Sequence, residues 1–435
     1  MAKFPRFLTL PIAAVIIVSA CGGGGSAAPG GSGAAAGATI TVTSLWGGSE
    51  QESFQKVLDA FKTKTGITAT YQAQRTDYST VLQSKITSGS PPDVAIMPGL
   101  GFLRQFARSK GIKSIEELGI DPASLEANYP PGILDTGKVD GKLYGIMVKF
   151  NSKSTFWYRP DTLKTAGATA PKSWDDLKAL ITTLKGKGTA TPLALGAKDS
   201  WTLTDWFEEV YLRQNGDAAY KKLFSAEGDW TDATVKKALD SMKEVITDKN
   251  VPGGITGALG VAFTDGIAQA FGATPKAALY YEGGFVGGIA TGQTNKDLKI
   301  GDTIDWFNFP TFGGAGDTAA EIGGDEIAAL TTKPGVKEFI TFMTTADSGS
   351  VWAKTGAIIS PVKAVGADNY PNDLAKKEAA QVAGASAVVY DGSDTLPAGA
   401  PDMGAMLQKV IQGQDVTGLL STFNDGVKKA WADEK

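Results

Sequence analysis

The sequence predicts an α/β fold in which mainly parallel sheets are flanked by helices. Three observations predict it. Strand-like and helical periods alternate as β-α-β-α-β between Thr39 and Met97, with short connections. Such connections cross over right-handed and make the strands parallel. At 435 residues, 42% of them hydrophobic and 20% charged, the chain is long and apolar enough for two or three domains with cores of their own.

Before that alternation lies a delivery segment. Lys3 and Arg6 form a short positive region, and a mostly apolar run, Phe7 to Val18, follows it. The run is short for a membrane span and has the flanks of a signal peptide. Val18-Ser19-Ala20-Cys21 resembles a bacterial lipobox, so residues 1–20 are expected to be a signal peptide and Cys21 a lipidated N-terminus. The Gly/Ala/Ser stretch that follows to residue 37 reads as a flexible tether with a reach of roughly 20–25 Å. Cys21 is the only cysteine, which excludes intrachain disulfides and paired-cysteine sites. The chain has no histidine, which excludes histidine bases, Ser-His-Asp and Cys-His systems and histidine metal ligands. The formal charge of −4 and the lack of a basic stripe give no reason to expect a nucleic-acid partner.

The first strand alternates Ile40 and Val42 with threonines and ends at Leu45 and Trp46. Gly47-Gly48 breaks it. Ser49 and Glu52 fit a capping box before a helix with Phe54, Val57, Leu58 and Phe61 on one face, which Gly66 stops. A second strand over 67–72, a helix bearing Tyr78, Val81, Leu82 and Ile86, and a third strand over 93–97 complete the unit. Ligands in open parallel sheets bind beyond the carboxyl ends of the strands. That rule singles out Trp46 to Glu50, Gln74 to Tyr78 and Met97 to Leu100. No GxGxxG or GxxxxGK[ST] motif occurs, so a nucleotide-phosphate cradle is not supported.

Further on, Tyr144 to Tyr158 is strand-like and aromatic. Ser173 and Asp176 form a second capping box, with Trp174 expected in packing. Leu203, Trp206, Phe207, Val210 and Tyr211 share a helical face, so Trp206 reads as core, while Trp201 precedes the periodicity and suits a wall. Thr202 and Asp205 also fit a capping box, leaving Asp205 open between cap and ligand contact. Lys276 to Phe285 is a strand followed by a glycine turn and an aromatic. Asp305 to Pro310 and Glu321 to Leu330 are further strands, and Trp352 reads as core. Tyr390-Asp391-Gly392-Ser393-Asp394 carries aspartates but not a calcium-loop pattern, and reads as a turn.

Trp46-Gly47-Gly48-Ser49-Glu50, Pro91 to Met97, Pro171 to Leu177, Lys276 to Phe285 and the late blocks 336–345 and 351–363, taken in order, resemble the extracellular solute-binding proteins of carbohydrate ABC transporters, the group that includes maltose- and alpha-glucoside-binding proteins. The resemblance spans 39–435. Residues 199–208 and 390–397 look more like the alpha-glucoside branch. It implies a two-lobed periplasmic-binding-protein-like fold, each lobe a mainly parallel sheet flanked by helices, joined by a multi-strand hinge. Lobe 1 would be 38–146 and 312–346, and lobe 2 would be 147–311 and 347–435. It also implies a carbohydrate, a di- or oligosaccharide, held between the lobes, permease subunits as partners, no cofactor and no catalytic residue, and a monomer tethered to the outer face of the membrane through Cys21.

A pyranose offers an apolar C–H face and a ring of hydroxyls, so aromatic rings and carboxylates are the expected contacts. The stacking candidates are Trp46, Trp201, Tyr281, Phe285 and Trp306, and Tyr78 suits either purpose. Glu50, Asp77, Asp205, Glu282 and Asp325 are the acceptors, and Arg75 and Lys149 are donors. Glu50 also suits the first turn of its helix as a negative charge. Gly323 and Gly324 would let backbone approach a ligand. Two rival readings are a glycoside hydrolase built on two positioned carboxylates and a surface sugar sensor without transport.

Overall fold

The computed structural model describes residues 37–130, 133–188 and 191–434. The segments expected to be a signal peptide, a lipidated Cys21 and a tether, up to residue 36, lie outside the described residues. Among the described residues no helix is long and apolar enough to cross a membrane.

The strands are β1 (Thr39–Ser44), β2 (Thr68–Ala73), β3 (Val94–Met97), β4 (Lys138–Val139), β5 (Lys142–Leu143), β6 (Gly145–Ser152), β7 (Thr155–Tyr158), β8 (Thr191–Ala194), β9 (Ala277–Tyr281), β10 (Asp305–Asn308), β11 (Ala320–Ala329) and β12 (Val388–Tyr390). The first sheet runs β12-β11-β3-β1-β2, with β6 on the other side of β11. The second runs β10-β7-β9-β8, and β4 and β5 form a small separate pair. Each strand pair follows its connection. β1 pairs in parallel with β2 and β3, which are reached through the helices Ser49–Thr65 and Tyr78–Thr87. β8 and β9 are likewise parallel, with helices between them. By contrast β7 follows β6 after two residues with no helix, and lies antiparallel to β9 and β10 in the second sheet. Both sheets are therefore mixed.

Two strands organise the region between the sheets. β6 is buried along its whole length and hands the chain from the first sheet to the second through Lys153 and Ser154. β11 pairs antiparallel with β6, Gly323 opposite Asn151 and Asp325 opposite Lys149, and its register slips between Asp325 and Glu326. Such an irregularity re-aims a side chain. Asp325 turns toward the space between the sheets, and the neighbouring Glu326 is buried and accepts a hydrogen bond from the Thr136 hydroxyl.

One core holds Ile40, Val42, Phe54, Phe61, Ile96 and Phe339 around the first sheet, and another holds Phe156, Trp206, Trp230, Leu279 and Phe423 around the second. The chain does not pass to the second core near 347 as expected. Trp352, Ile359, Tyr370 and Ala375 pack with the first core, and the second takes up Val389, Leu396 and Met403. The reason is local: the helix Ala346–Ala353 lies against Ser49–Thr65 and inserts Trp352 beside Trp46 and Phe54.

The box at Ser173 forms, its hydroxyl accepting from the Asp176 amide at 3.2 Å while Asp176 accepts from the Ser173 amide at 3.1 Å. The box expected at Ser49 does not. Gly48, at φ 59°, takes the cap position and Ser49 is already helical, its carbonyl accepting from the Ser53 hydroxyl at 2.8 Å. Glycine tolerates that left-handed φ. At Asp205 the expected cap is absent too: the helix Trp201–Leu223 starts after Ser200 without a side-chain cap, and the Thr202 hydroxyl donates to the Gly196 carbonyl at 3.1 Å.

Candidate functional site

A cavity of about 340 Å³ lies between the two sheets, a size ordinary for small-ligand sites. Strand alternation builds its floor. Side chains two apart share a face, so Lys149, Asn151 and Lys153 all line it. Gly323 and Gly324 face them from β11. A Cβ at Gly323 would come within 2.6 Å of Lys153 Cε, so the glycine makes room for that lysine.

Lys149 and Lys153 each stand between carboxylates and an aromatic ring. Lys149 Nζ is 3.1 Å from Asp325 and 3.5 Å from Glu50, and lies 4.7 Å over the Trp46 ring. Lys153 Nζ is 2.6 Å from Asp205 and 3.3 Å from Asp391, and lies 5.1 Å over Trp201. Burial alone would lower both ammonium pKa values. Asp325 and Glu50 outweigh it for Lys149, and Asp205 and Asp391 for Lys153, so both stay charged above the ordinary lysine value. Burial and the Asp205 carboxylate push Glu282 well above the usual carboxylate range, so Glu282 is the acid of that pair that keeps its proton.

The aromatic side of the cavity belongs to Trp201, Phe263 and Phe285, whose ring centroids are 5.2, 6.1 and 6.3 Å apart. Trp201 is 36% exposed, the largest open ring in the cavity wall. The Phe263 amide donates to Asp199 at 2.7 Å, which fixes the start of the helix Phe263–Phe271 against the cavity.

Nine of the residues expected in a site line this cavity: Trp46, Glu50, Arg75, Lys149, Trp201, Phe285, Gly323, Gly324 and Asp325. Arg75 reaches it across Gly47, where a Cβ would come within 2.8 Å of Arg75 Cδ. Trp46 lines it only by an edge. It is 1% exposed, stacked beside Tyr71 and set edge-on to Phe54 and Trp352. It is therefore first a core residue.

Six do not line it. Tyr281 lies in the second core against Trp206 and Phe309, its hydroxyl donating to the Asp205 carbonyl at 3.0 Å. Trp306 is buried under Lys377, with its indole N–H donating to the Leu374 carbonyl. Tyr78 is buried and donates to the Thr43 carbonyl at 3.2 Å, and Asp77 is exposed at the start of its helix. Asp205 and Glu282 lie behind the floor and reach the cavity only through Lys153. The strand that carries Tyr281 is buried throughout, and Trp306 is buried in a strand whose ends are half-buried Asp305 and exposed Asn308, so these rings fill cores.

Sequence reasoning also missed residues. Asn151 and Lys153 were within reach of strand alternation from Lys149. The aspartate-rich stretch at 390–397, read as a turn, forms the short helix Gly392–Thr395 capped by Asp391, and it brings Asp391, Ser393 and Asp394 to the cavity. Glu208 holds that helix in place, accepting from the amides of Gly392 and Ser393 and from the Tyr220 hydroxyl at 2.6, 3.1 and 2.7 Å. Phe263 has no local signal.

Comparison with known proteins agrees with this architecture. Residues 47–350 match the family model of the bacterial extracellular solute-binding proteins. The osmoprotective compounds-binding protein GgtB of Synechocystis sp. is 28% identical over 400 residues, covering 90% of this chain and 92% of the relative. The alpha-glucosides-binding periplasmic protein AglE of Rhizobium meliloti is 29% identical over 411 residues, covering 91% and 87%. In three dimensions the bacterial solute receptor AcbH superposes with a TM-score of 0.78 at 21% identity, over 92% of this chain and all of that one, a likeness of fold. The chain thus belongs to the bacterial extracellular solute-binding proteins and, as its sequence blocks indicated, to the carbohydrate ABC transporter group among them.

Proposed function

We propose that this protein captures a di- or oligosaccharide of the alpha-glucoside class between two lobes and delivers it to the permease of an ABC importer. The observation that carries the reading is the wall chemistry of the cavity. An open aromatic surface, Trp201 with Phe263 and Phe285, stands across from the charged groups Glu50, Lys149 and Asp325. Rings cover the C–H face of a pyranose and the ionic groups bond its hydroxyls. The alpha-glucoside class is supported by AglE, which is described as binding alpha-glucosides, and by the blocks at 199–208 and 390–397. AcbH, described as having an exclusive preference for β-D-galactopyranose, marks the breadth of sugars that proteins of this fold accept.

The bodies built on the two sheets are the lobes, and β6 and the strands paired to it are the hinge. Closing hinges of this kind are the motion of periplasmic binding proteins. In this reading Cys21 carries the lipid that holds the monomer at the outer face of the membrane, and the protein performs no chemistry on the sugar.

The test is a thermal-shift screen of mono-, di- and oligosaccharides, followed by calorimetry on the hits. A sugar that binds only the folded state raises the melting temperature. The expected result is a shift with an alpha-linked glucoside and no released reducing sugar. No shift with any sugar, or turnover of one, overturns the proposal.

A further inference from the structure

At and behind the cavity floor lies a group of carboxylates larger than its supply of cations. Asp205, Glu208 and Glu209 come from the helix Trp201–Leu223, Glu282 follows β9, Glu321 lies in β11, and Asp391 caps the helix Gly392–Thr395. All are buried. Most of the available donors are already assigned. Arg213 pairs with Glu209 at 2.9 Å and donates to the carbonyls of Gly316, Asp317 and Ala319. Glu208 is satisfied by Tyr220 and the amides of Gly392 and Ser393. Lys153 is shared between Asp205 and Asp391.

What remains is a trio. One carboxylate oxygen each from Asp205, Glu321 and Asp391 lies within 4.8 Å of the other two. Glu321 is fully buried and neither of its carboxylate oxygens has a hydrogen-bond partner. The adjacent Glu282 and Asp205 have only the proton that Glu282 keeps to share between them. Burying a carboxylate without a donor or counter-charge is strongly unfavourable. Burial, reinforced by Glu208, Glu209, Asp391 and Asp205, pushes Glu321 well above the usual carboxylate range.

We propose that Asp205, Glu321 and Asp391 form a binding site for one divalent cation of the calcium type, at the back of the ligand cavity, whose wall shares Asp391. Three carboxylates against the single Lys153 ammonium leave two negative charges, which one such ion cancels. The donors are all oxygen, which selects a hard cation over zinc or copper. Calcium accepts oxygen ligands in flexible geometry at about 2.3–2.6 Å, whereas magnesium demands a near-ideal octahedron and keeps several waters, which three carboxylates from separate segments beside a lysine do not provide. The three ligands come from three distant segments, so no linear calcium motif announces them. The site stands whatever the cavity itself binds, because its readout is the metal.

The experiment uses the full chain, stripped with EDTA, desalted and equilibrated with calcium or magnesium chloride. Elemental analysis is expected to find one calcium per chain, with a rise of several degrees in melting temperature and a smaller rise with magnesium. Glu321→Gln is expected to weaken calcium binding at least tenfold. Glu326→Gln, another buried acid outside the cluster, is expected to leave it unchanged. The wild-type measurement stands even where a variant folds poorly. No bound calcium and no thermal shift at millimolar calcium overturns the proposal. In that outcome a Glu321→Gln variant more stable than wild type would show that the cluster holds its excess charge as protons.

Discussion

Two stations, one on β6 and one at Lys153 just past its end, are built from the same parts, a lysine, two carboxylates and a tryptophan, and they distribute water in opposite ways. At Lys149 the ring is sealed, Trp46 being 1% exposed, while the Glu50 carboxylate side chain keeps 22% of its surface. At Lys153 the ring is open, Trp201 being 36% exposed, while the Asp205 and Asp391 side chains keep 0% and 5%. The lysine stands within cation–π range of its tryptophan in both. The difference teaches that residue type chooses the parts of a wall and burial chooses their roles. The first station spends its tryptophan on the core and offers ions to the cavity, and the second does the reverse.

The largest expected effects strike the buried member of each station. Trp46→Ala removes a ring packed against Phe54, Tyr71 and Trp352, so it is expected to cost about 3–5 kcal/mol of folding stability, read by urea denaturation. Lys153→Met leaves Asp205 and Asp391 buried without their cation, and a loss of similar size, about 3–5 kcal/mol, is expected. Lys149→Met is expected to cost less, because Glu50 reaches water. Equal losses for the two lysine variants would erase the distinction between the stations.

These roles were only partly legible in the sequence. The β1 to β3 unit was readable because periodicity and glycine breaks are local signals, and β1, β2, β3 and their helices lie close to where the pattern puts them. The cap at Ser49 was misread because the choice between Gly48 and Ser49 depends on a backbone angle, φ 59° at Gly48, that a serine-glutamate spacing does not report. Tyr281 and Trp306 were misplaced since an aromatic side chain reveals an appetite for apolar surface without saying which surface. The acids around Lys153 were hidden for another reason. They meet only when the helix Trp201–Leu223, β11 and the segment after β12 converge, and no spacing in the chain records that.

A pH experiment probes what the two stations share. Glu378 sits behind the strand between them, accepting from Asn151 Nδ2 at 3.2 Å and from the Ser152 amide at 2.8 Å. Burial raises its carboxyl from 4.5 to about 7, against the pull of those donors and of Lys149. An acid whose folded-state pKa is raised holds its proton more tightly when folded. Its contribution is therefore complete below about pH 4.5 and is lost as pH rises to about 7. That interval corresponds to at most about 3.5 kcal/mol. Glu378→Gln is expected to flatten this part of the stability profile, so that the variant gains on wild type between those two pH values. Parallel profiles would show that Glu378 ionises without strain and that the support behind the stations is indifferent to pH.

The smallest effect, and the most direct test of the open ring, is at Trp201. Its neighbours are Phe263, Phe285 and Lys153, and more than a third of it faces the cavity or solvent, so Trp201→Ala is expected to change folding stability by less than about 1 kcal/mol. Sugar affinity is expected to fall at least tenfold, about 1.4 kcal/mol. Trp201→Phe should recover part of it, because a pyranose face needs a flat apolar surface more than it needs an indole N–H. Wild-type affinity in the alanine variant would remove Trp201 from the sugar platform and leave Phe263 and Phe285 to carry it. In that case an open ring would be no better guide to a ligand contact than the sealed one at Trp46.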